Sequence, residues 1–323
     1  MGNREYILVI KHGALGDFIV ATSAFSAIRE YHPYAYIVLL TTKPYVGLAE
    51  QSPYFDEVWI DSRPKLWHLN ALQKTLHLLR GGEQQYRFKR VYDLQGSQRT
   101  AWYFHLLGRH KPQWVGKVRG CTYPRNIPDN ELHVFDIFKT HLTRIGFSHV
   151  PYPNVDWLTD DITPYQLPDS FVLLVPGAAP TRPKKRWTAH GYADVITHLS
   201  ERGITCVMLG ADAEHGCAHA IAELVGNKKL INLVGKTSLA ALASLGRKAR
   251  FAIGSDTGPM HIIAASGCPV LVLFSADSDP KLHGPRSAQT QFIQVDDLKD
   301  LESSRVTDIL DKQLRFVAAS AVC

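Results

Sequence analysis

The feature that most constrains this chain is a regular exchange of short apolar runs with amphipathic stretches, made twice and broken once. In the first half, 6–10, 36–41, 57–60 and 90–94 read as strands, and 18–30, 44–51, 65–80, 99–108 and 131–146 read as helices. Helices alternating with strands predict parallel sheets, which are covered on both faces. Leu66, Leu69, Leu72, Leu76 and Leu79 lie along one helical stripe, and Tyr192, Val195, Ile196 and Leu199 follow the spacing of another. Between 151 and 168 the pattern stops, and Pro151, Pro153, Pro164 and Pro168 surround an Asp160-Asp161 pair, which reads as a linker. The alternation then resumes, with strands at 171–175, 204–209, 250–254 and 269–275 and helices at 188–202 and about 213–225. Ser238 caps a further helix, and an amphipathic helix covers about 303–318. The expectation is an α/β chain of two domains, 1–160 and 161–323, each a doubly wound parallel sheet.

The residues able to do chemistry gather where strands end. Ser255-Asp256-Thr257-Gly258-Pro259-Met260-His261 stands between the last two of those strands. Asp256 or Thr257 suits an N-cap, and Pro259 suits a first helical turn, where no backbone N–H is needed. A helix starting at the carboxyl end of a parallel strand offers free N–H groups to an anion or sugar phosphate. A capped helix that binds nothing accounts for the same residues. A similar turn, Lys11-His12-Gly13-Ala14-Leu15-Gly16-Asp17, follows the first strand. It carries GxxGD rather than GxGxxG, and the chain has no GxxxxGK[ST], so neither nucleotide fingerprint is met. Asp17 reads as a helix cap or as a general base at a cleft.

Composition narrows the function. With 323 residues and 45% apolar content, two cores are affordable. The net charge of +6 and a pI of about 9 suit an anionic partner or plain solvation. No RNP, zinc-finger or helix-turn-helix pattern supports nucleic acid as that partner. Five scattered cysteines with no CxxC spacing indicate reduced residues of a cytoplasmic protein, without a metal or disulfide framework. The apolar runs are too short for a membrane span, and the N-terminus lacks a signal-peptide pattern.

Taken in order, Lys-x-Gly-Ala-Leu-Gly-Asp at 11–17, Pro176-Gly177, Lys185-Arg186-Trp187 and Ser-Asp-Thr-Gly-Pro-Met-His at 255–261 resemble glycosyltransferase family 9, the bacterial heptosyltransferases of lipopolysaccharide core synthesis. Asp93-Leu-Gln-Gly96, His133 and Leu209-Gly210-Ala211 also fit, so the resemblance runs from Tyr6 to about Pro285. It implies a GT-B fold, two Rossmann-like domains facing a central cleft, with the acceptor on the first, the nucleotide-sugar on the second and the final helix returning to the first. The implied reaction transfers L-glycero-D-manno-heptose from an ADP-linked donor to an anionic Kdo/lipid A or core acceptor, with inversion and without metal or cofactor. By the match, Asp17 is the general base, and Lys185 meets charge on the departing diphosphate. Thr181 fits a phosphate-binding hydroxyl and Glu214 a ribose contact; Asp256 fits the donor sugar, Thr257 and Gly258 its phosphate, and His261 the same site. Gly13, Gln95, Arg99 and Arg125 are candidates on the acceptor side, with Arg63, Lys65 and Arg119 as further cations not ranked by sequence. The enzyme is expected in the cytoplasm, in peripheral contact with the inner membrane.

The chain departs from the family at Lys11, where Arg is commoner, and at Ser275–Pro280, where the usual Gly-Pro-Thr-Asp-Pro is absent. The latter spells Asp277-Ser278-Asp279, a metal-type DxD whose context does not match. Another nucleotide-sugar, or a non-catalytic binding role, is the alternative reading; Asp17 and Lys185 together argue against the second.

Overall fold

The computed structural model describes residues 4–64, 68–128, 130–177 and 181–320. The chain divides into two compact units, Met1–Pro153 and Asn154–Cys323. Residues 154–160 adhere to the second unit through Val155 N–H to Ala265 C=O at 3.3 Å, Asp160 N–H to Ser244 Oγ at 2.9 Å, and Arg247 Nη2 to Leu158 C=O at 2.7 Å.

The first unit runs β1 (Tyr6–Ile10), α1 (Leu15–Tyr31), β2 (Tyr36–Thr41), α2 (Val46–Glu50), β3 (Glu57–Ile60), α3 (Leu69–Leu79), β4 (Phe88–Asp93), α4 (Gln98–Leu106), β5 (Gln113–Gly116), β6 (Tyr123–Pro124) and α5 (Val134–Arg144). The second runs β7 (Phe171–Val175), α6 (Ala189–Glu201), β8 (Thr205–Met208), α7 (His215–Val225), β9 (Leu230–Asn232), α8 (Leu239–Lys248), β10 (Phe251–Ser255), α9 (Gly258–Ala265), β11 (Val270–Phe274), α10 (Pro280–His283), β12 (Thr290–Gln294) and α11 (Ser303–Ser320).

Each unit holds one six-stranded parallel sheet, ordered β3-β2-β1-β4-β5-β6 and β12-β11-β10-β7-β8-β9. In both, strand order reverses beside the unit's first strand, between β1 and β4 and between β7 and β10. That reversal opens a crevice at the carboxyl ends of those two strands. Register makes the exits coincide: Ile10 pairs with Asp93, and Val175 with Gly254. A Cβ on Gly254 would lie 2.7 Å from both Val175 Cβ and Met260 Sδ, so glycine there lets α9 lie close to the sheet.

The central strands are apolar along their length because both faces are covered. Ile7 to Ile10 and Val172 to Leu174 are fully buried, and Tyr192, Ile196 and Leu199 of α6 close one face of the second core. Thr188 Oγ1 caps α6 by accepting Gly191 N–H at 3.0 Å, and Ser238 Oγ caps α8 by accepting Ala241 N–H at 2.9 Å.

Several expectations shift. The 90–94 strand is Phe88–Asp93, and 44–51 is a 3-10 turn, Lys43–Tyr45, followed by α2. The 65–80 helix is Leu69–Leu79; Lys65 and Leu66 lie outside the described residues. Strands β5, β6, β9 and β12 carry no sequence signal of their own, being short or mixed in polarity (QWVG, YP, LIN, TQFIQ). The first three turns of α11 join the second core through Val306 and Leu310, with Ser303 bonded to Asp194 at 2.7 Å and Asp311 to His198 at 2.8 Å. Leu310→Ala should therefore cost about 2–5 kcal/mol in urea unfolding, while exposed Arg305→Ala should stay within about 0.5 kcal/mol; similar losses for the two would contradict this packing.

Candidate active site

In the first unit, β1 and β4 release their chains side by side. Leu94 and Gln95 N–H both reach Ile10 C=O at 3.1 Å, and Gln95 Oε1 accepts His12 N–H at 2.9 Å across the crevice. Beside this bridge is a cavity of about 570 Å³ lined by His12, Gly13, Tyr45, Arg63, Gln95 and Arg99, among others. Gly13 has φ +115°, and a Cβ there would stand 2.2 Å from Tyr45 Cε2, so this position requires glycine. Arg99 reaches the cavity from α4 while donating to Pro64 C=O. Gly13, Gln95 and Arg99 thus share one cavity, and Arg63 joins them. Arg125 lies beside Gly96 instead, and Arg119 is exposed away from the lining.

Asp17 is not the cap of α1, whose N-cap is Ala14; it stands exposed in the first turn. It is absent from the cavity lining, but its charge reaches buried Lys11 and Tyr45. Burial pushes the Lys11 ammonium down, opposed by Asp17 and Asp93 and reinforced by Arg125. Burial also pushes the Asp93 carboxyl up, although Gly96 N–H donates to it at 2.9 Å.

His12 of the cavity lining contacts a buried carboxylate that has no sequence motif of its own. His12 Nε2 is 2.9 Å from Asp61 Oδ2, off the line of a straight hydrogen bond. Tyr103 hydroxyl donates to Asp61 Oδ2 and Arg63 N–H to Oδ1, each at 2.7 Å. The available signal was positional: Asp61 directly follows a strand, as His12 nearly does. Burial would raise the Asp61 carboxyl, but His12, Tyr103 and the Arg63 N–H together hold it below its ordinary value.

In the second unit the same topology unites Lys185, from the loop after β7, and Asp256, from the end of β10. Lys185 Nζ is 2.5 Å from Asp256 Oδ2, and the two side chains are 9% and 10% exposed. Trp187 anchors this loop: it is buried against Tyr192 and donates from Nε1 to Leu301 C=O at 2.9 Å. Asp256 therefore holds a cation and does not cap α9, whose N-cap is Thr257 and has no side-chain cap bond. Thr257 and Gly258 begin α9 one residue on, and His261 is buried in the same helix. Glu214 packs over Gly177 and Gly210 at two neighbouring strand ends, and its Oε2 accepts Ala211 N–H at 2.8 Å. Thr181 is exposed in the β7 loop, without a side-chain hydrogen bond among the described residues. Asp279 of the DxD caps α10 by accepting Lys281 N–H at 2.8 Å.

Two Rossmann-type sheets, each gathering polar residues at its point of strand reversal, are the architecture of a GT-B glycosyltransferase. The sequence model of glycosyltransferase family 9 (heptosyltransferase) matches residues 82–313, and the chain belongs to that family. Lipopolysaccharide heptosyltransferase 3 of Escherichia coli strain K12 is 25% identical over 281 residues, 81% of this chain and 80% of the relative. The fold is similar to that of a family 9 glycosyl transferase from Veillonella parvula, with a TM-score of 0.83 at 19% identity over 97% and 98% of the two chains. It is also similar to that of the E. coli heptosyltransferase WaaC solved with ADP, with a TM-score of 0.73 at 19% identity over 95% and 99%.

Asp256→Ala strands a buried ammonium and should cost about 3–5 kcal/mol, rather than the roughly 1 kcal/mol that a helix cap would cost. Lys185→Met with Asp256→Leu should recover much of that loss; simple additivity in urea unfolding would rule out the pair. At Asp61 the folded value lies below the unfolded one, so its stabilisation is present above about pH 4 and disappears as pH falls through the folded value. Asp61→Asn should flatten the acid limb of the stability–pH curve, and superimposable limbs for parent and variant would contradict this assignment.

Proposed function

We propose that this glycosyltransferase moves a heptose from an ADP-linked donor to a hydroxyl of the lipopolysaccharide inner core, with inversion and without a metal. The observation that carries the reading is the Lys185–Asp256 contact at the strand reversal of the second unit, inside the span of the family match. The similarity to lipopolysaccharide heptosyltransferase 3, and the ADP bound to the similar WaaC structure, support the heptosyl and adenine assignments.

Asp17 takes the proton of the acceptor hydroxyl as its oxygen attacks C1 of the sugar. The bond from C1 to the diphosphate breaks with its electron pair, ADP departs, and Lys185 meets the charge. Asp256 fixes both Lys185 and the donor sugar hydroxyls. Thr257 and Gly258 offer N–H groups to phosphate at the start of α9, with His261 one turn on. Glu214 takes the ribose with the oxygen not engaged by Ala211, and Thr181 adds a hydroxyl to phosphate. The acceptor lies in the cavity of Gly13, Gln95 and Arg99, its acidic groups facing Arg63 and Arg99, with Arg125 behind them. Catalysis takes place on the cytoplasmic face of the inner membrane.

Asp17→Ala should lower turnover about 10²–10⁴-fold while ADP binding persists. Lys185→Ala should lower kcat and kcat/KM together, by about 10²–10³-fold. Titrations with ADP and UDP, followed by steady-state rates with and without EDTA, test the set. Preference for UDP, loss of activity in EDTA or normal turnover by Asp17→Ala would overturn the corresponding part.

A further inference from the structure

The first unit holds a second cavity, of about 730 Å³, at the opposite end of its sheet. Phe88, which opens β4, lines it, whereas Gln95 of the acceptor cavity follows the end of that strand. Arg80, Arg87, Arg109 and Lys111 surround an apolar floor that includes Leu79 and Phe88. The four cations are exposed and arrive from four places: the C-cap of α3, the lead into β4, the turn after α4 and the lead into β5. Among the described residues, none of the four side chains has a carboxylate partner or a hydrogen bond. Lys111 Nζ instead rests 4.1 Å from the Phe104 ring centroid. Nearby carboxylates face other groups: Glu83 lies 3.3 Å from His77, and Glu57 accepts Trp59 Nε1 at 2.6 Å and Tyr86 hydroxyl at 3.2 Å.

Helix C-termini favour cations, which accounts for Arg80 and Arg109. It does not account for Arg87 and Lys111, which precede strands. Four like charges around one concavity repel one another and raise the local potential, and an anion of matching valence relieves both. Guanidinium groups bind phosphate oxygens in pairs, and an apolar floor suits a ring or chain carried beside the phosphate.

We propose that this cavity binds a phosphorylated ligand, separately from the donor and acceptor positions. A free solute and a phospholipid headgroup both carry such a phosphate, and two probes separate these sources. Tripolyphosphate, and separately vesicles of phosphatidylcholine with phosphatidylglycerol, are titrated into the full chain, into Arg87→Glu with Lys111→Glu, and into Lys185→Ala. Thermal melting verifies that each variant is folded, and Arg87→Gln with Lys111→Gln replaces the charge reversal if it is not. The expected result is an affinity about tenfold or more lower in the double variant, retained in Lys185→Ala and weakening with salt. Tripolyphosphate binding without vesicle binding assigns a solute; vesicle binding alone assigns a headgroup. Failure of both probes to bind the parent, or equal binding by parent and double variant, overturns the proposal. Because the readout is binding outside the catalytic residues, it stands or falls independently of the heptosyl assignment.

Discussion

Parallel pairing is the constraint on which the rest of this structure depends. A parallel strand needs a crossover to its neighbour, so every connection carries a helix or a long loop, and both faces of the sheet are covered. Nearly all polar chemistry is then forced to the strand ends. Reversal of strand order keeps two consecutive crossovers apart and leaves an uncovered crevice in each unit. Lys185 and Asp256 are distant in sequence but meet because β7 and β10 are neighbours there. His12 and Gln95 meet for the same reason at β1 and β4.

The crevices are also where desolvation acts on charge. Lys11 and Asp93 are held at adjoining strand exits, and burial pushes each toward its neutral form. Lys185 and Asp256 are also largely buried but are in direct contact, so each offsets part of the other's cost of burial. A departing diphosphate would meet a lysine whose position is already fixed by a carboxylate and by the packing of Trp187. On the proposed assignment, little reorganisation would be needed as charge develops, which is how preorganised groups act.

Legibility followed the physics of each element. Strands β1, β2, β7 and β11 were readable because full burial makes them continuously apolar, and α6 because one face packs on a sheet. Strands β5, β6, β9 and β12 were not, because they are short or mixed in polarity and carry no long apolar run. Asp17, Lys185 and Asp256 came from motif order, yet the partner of Asp256 did not, since spacing cannot reveal which loops adjoin. The 1–160 boundary followed the prolines, whereas the observed division after Pro153 follows contacts of Val155 and Asp160 that no composition reports. His12 and Asp61 were missed because each is a single residue, and only the fold brings them together.

The three carboxylates near the first crevice differ in what they have left to give, and this bears on the proposed base. Asp61 has one oxygen engaged by Arg63 N–H and the other by Tyr103 and His12. Asp93 is buried, accepts Gly96 N–H, and is pushed toward its protonated form. A base must accept a proton from the acceptor and later release it to solvent, which neither of these can do without breaking its own contacts. Asp17 is exposed and, among the described residues, carries no side-chain hydrogen bond. Its place in the first turn of α1 follows directly from the Gly13 turn, whose backbone only glycine tolerates against Tyr45. The same turn therefore shapes the cavity wall and leads into the helix turn that carries Asp17, so on the proposed assignment acceptor placement and proton removal would rest on one short segment of chain.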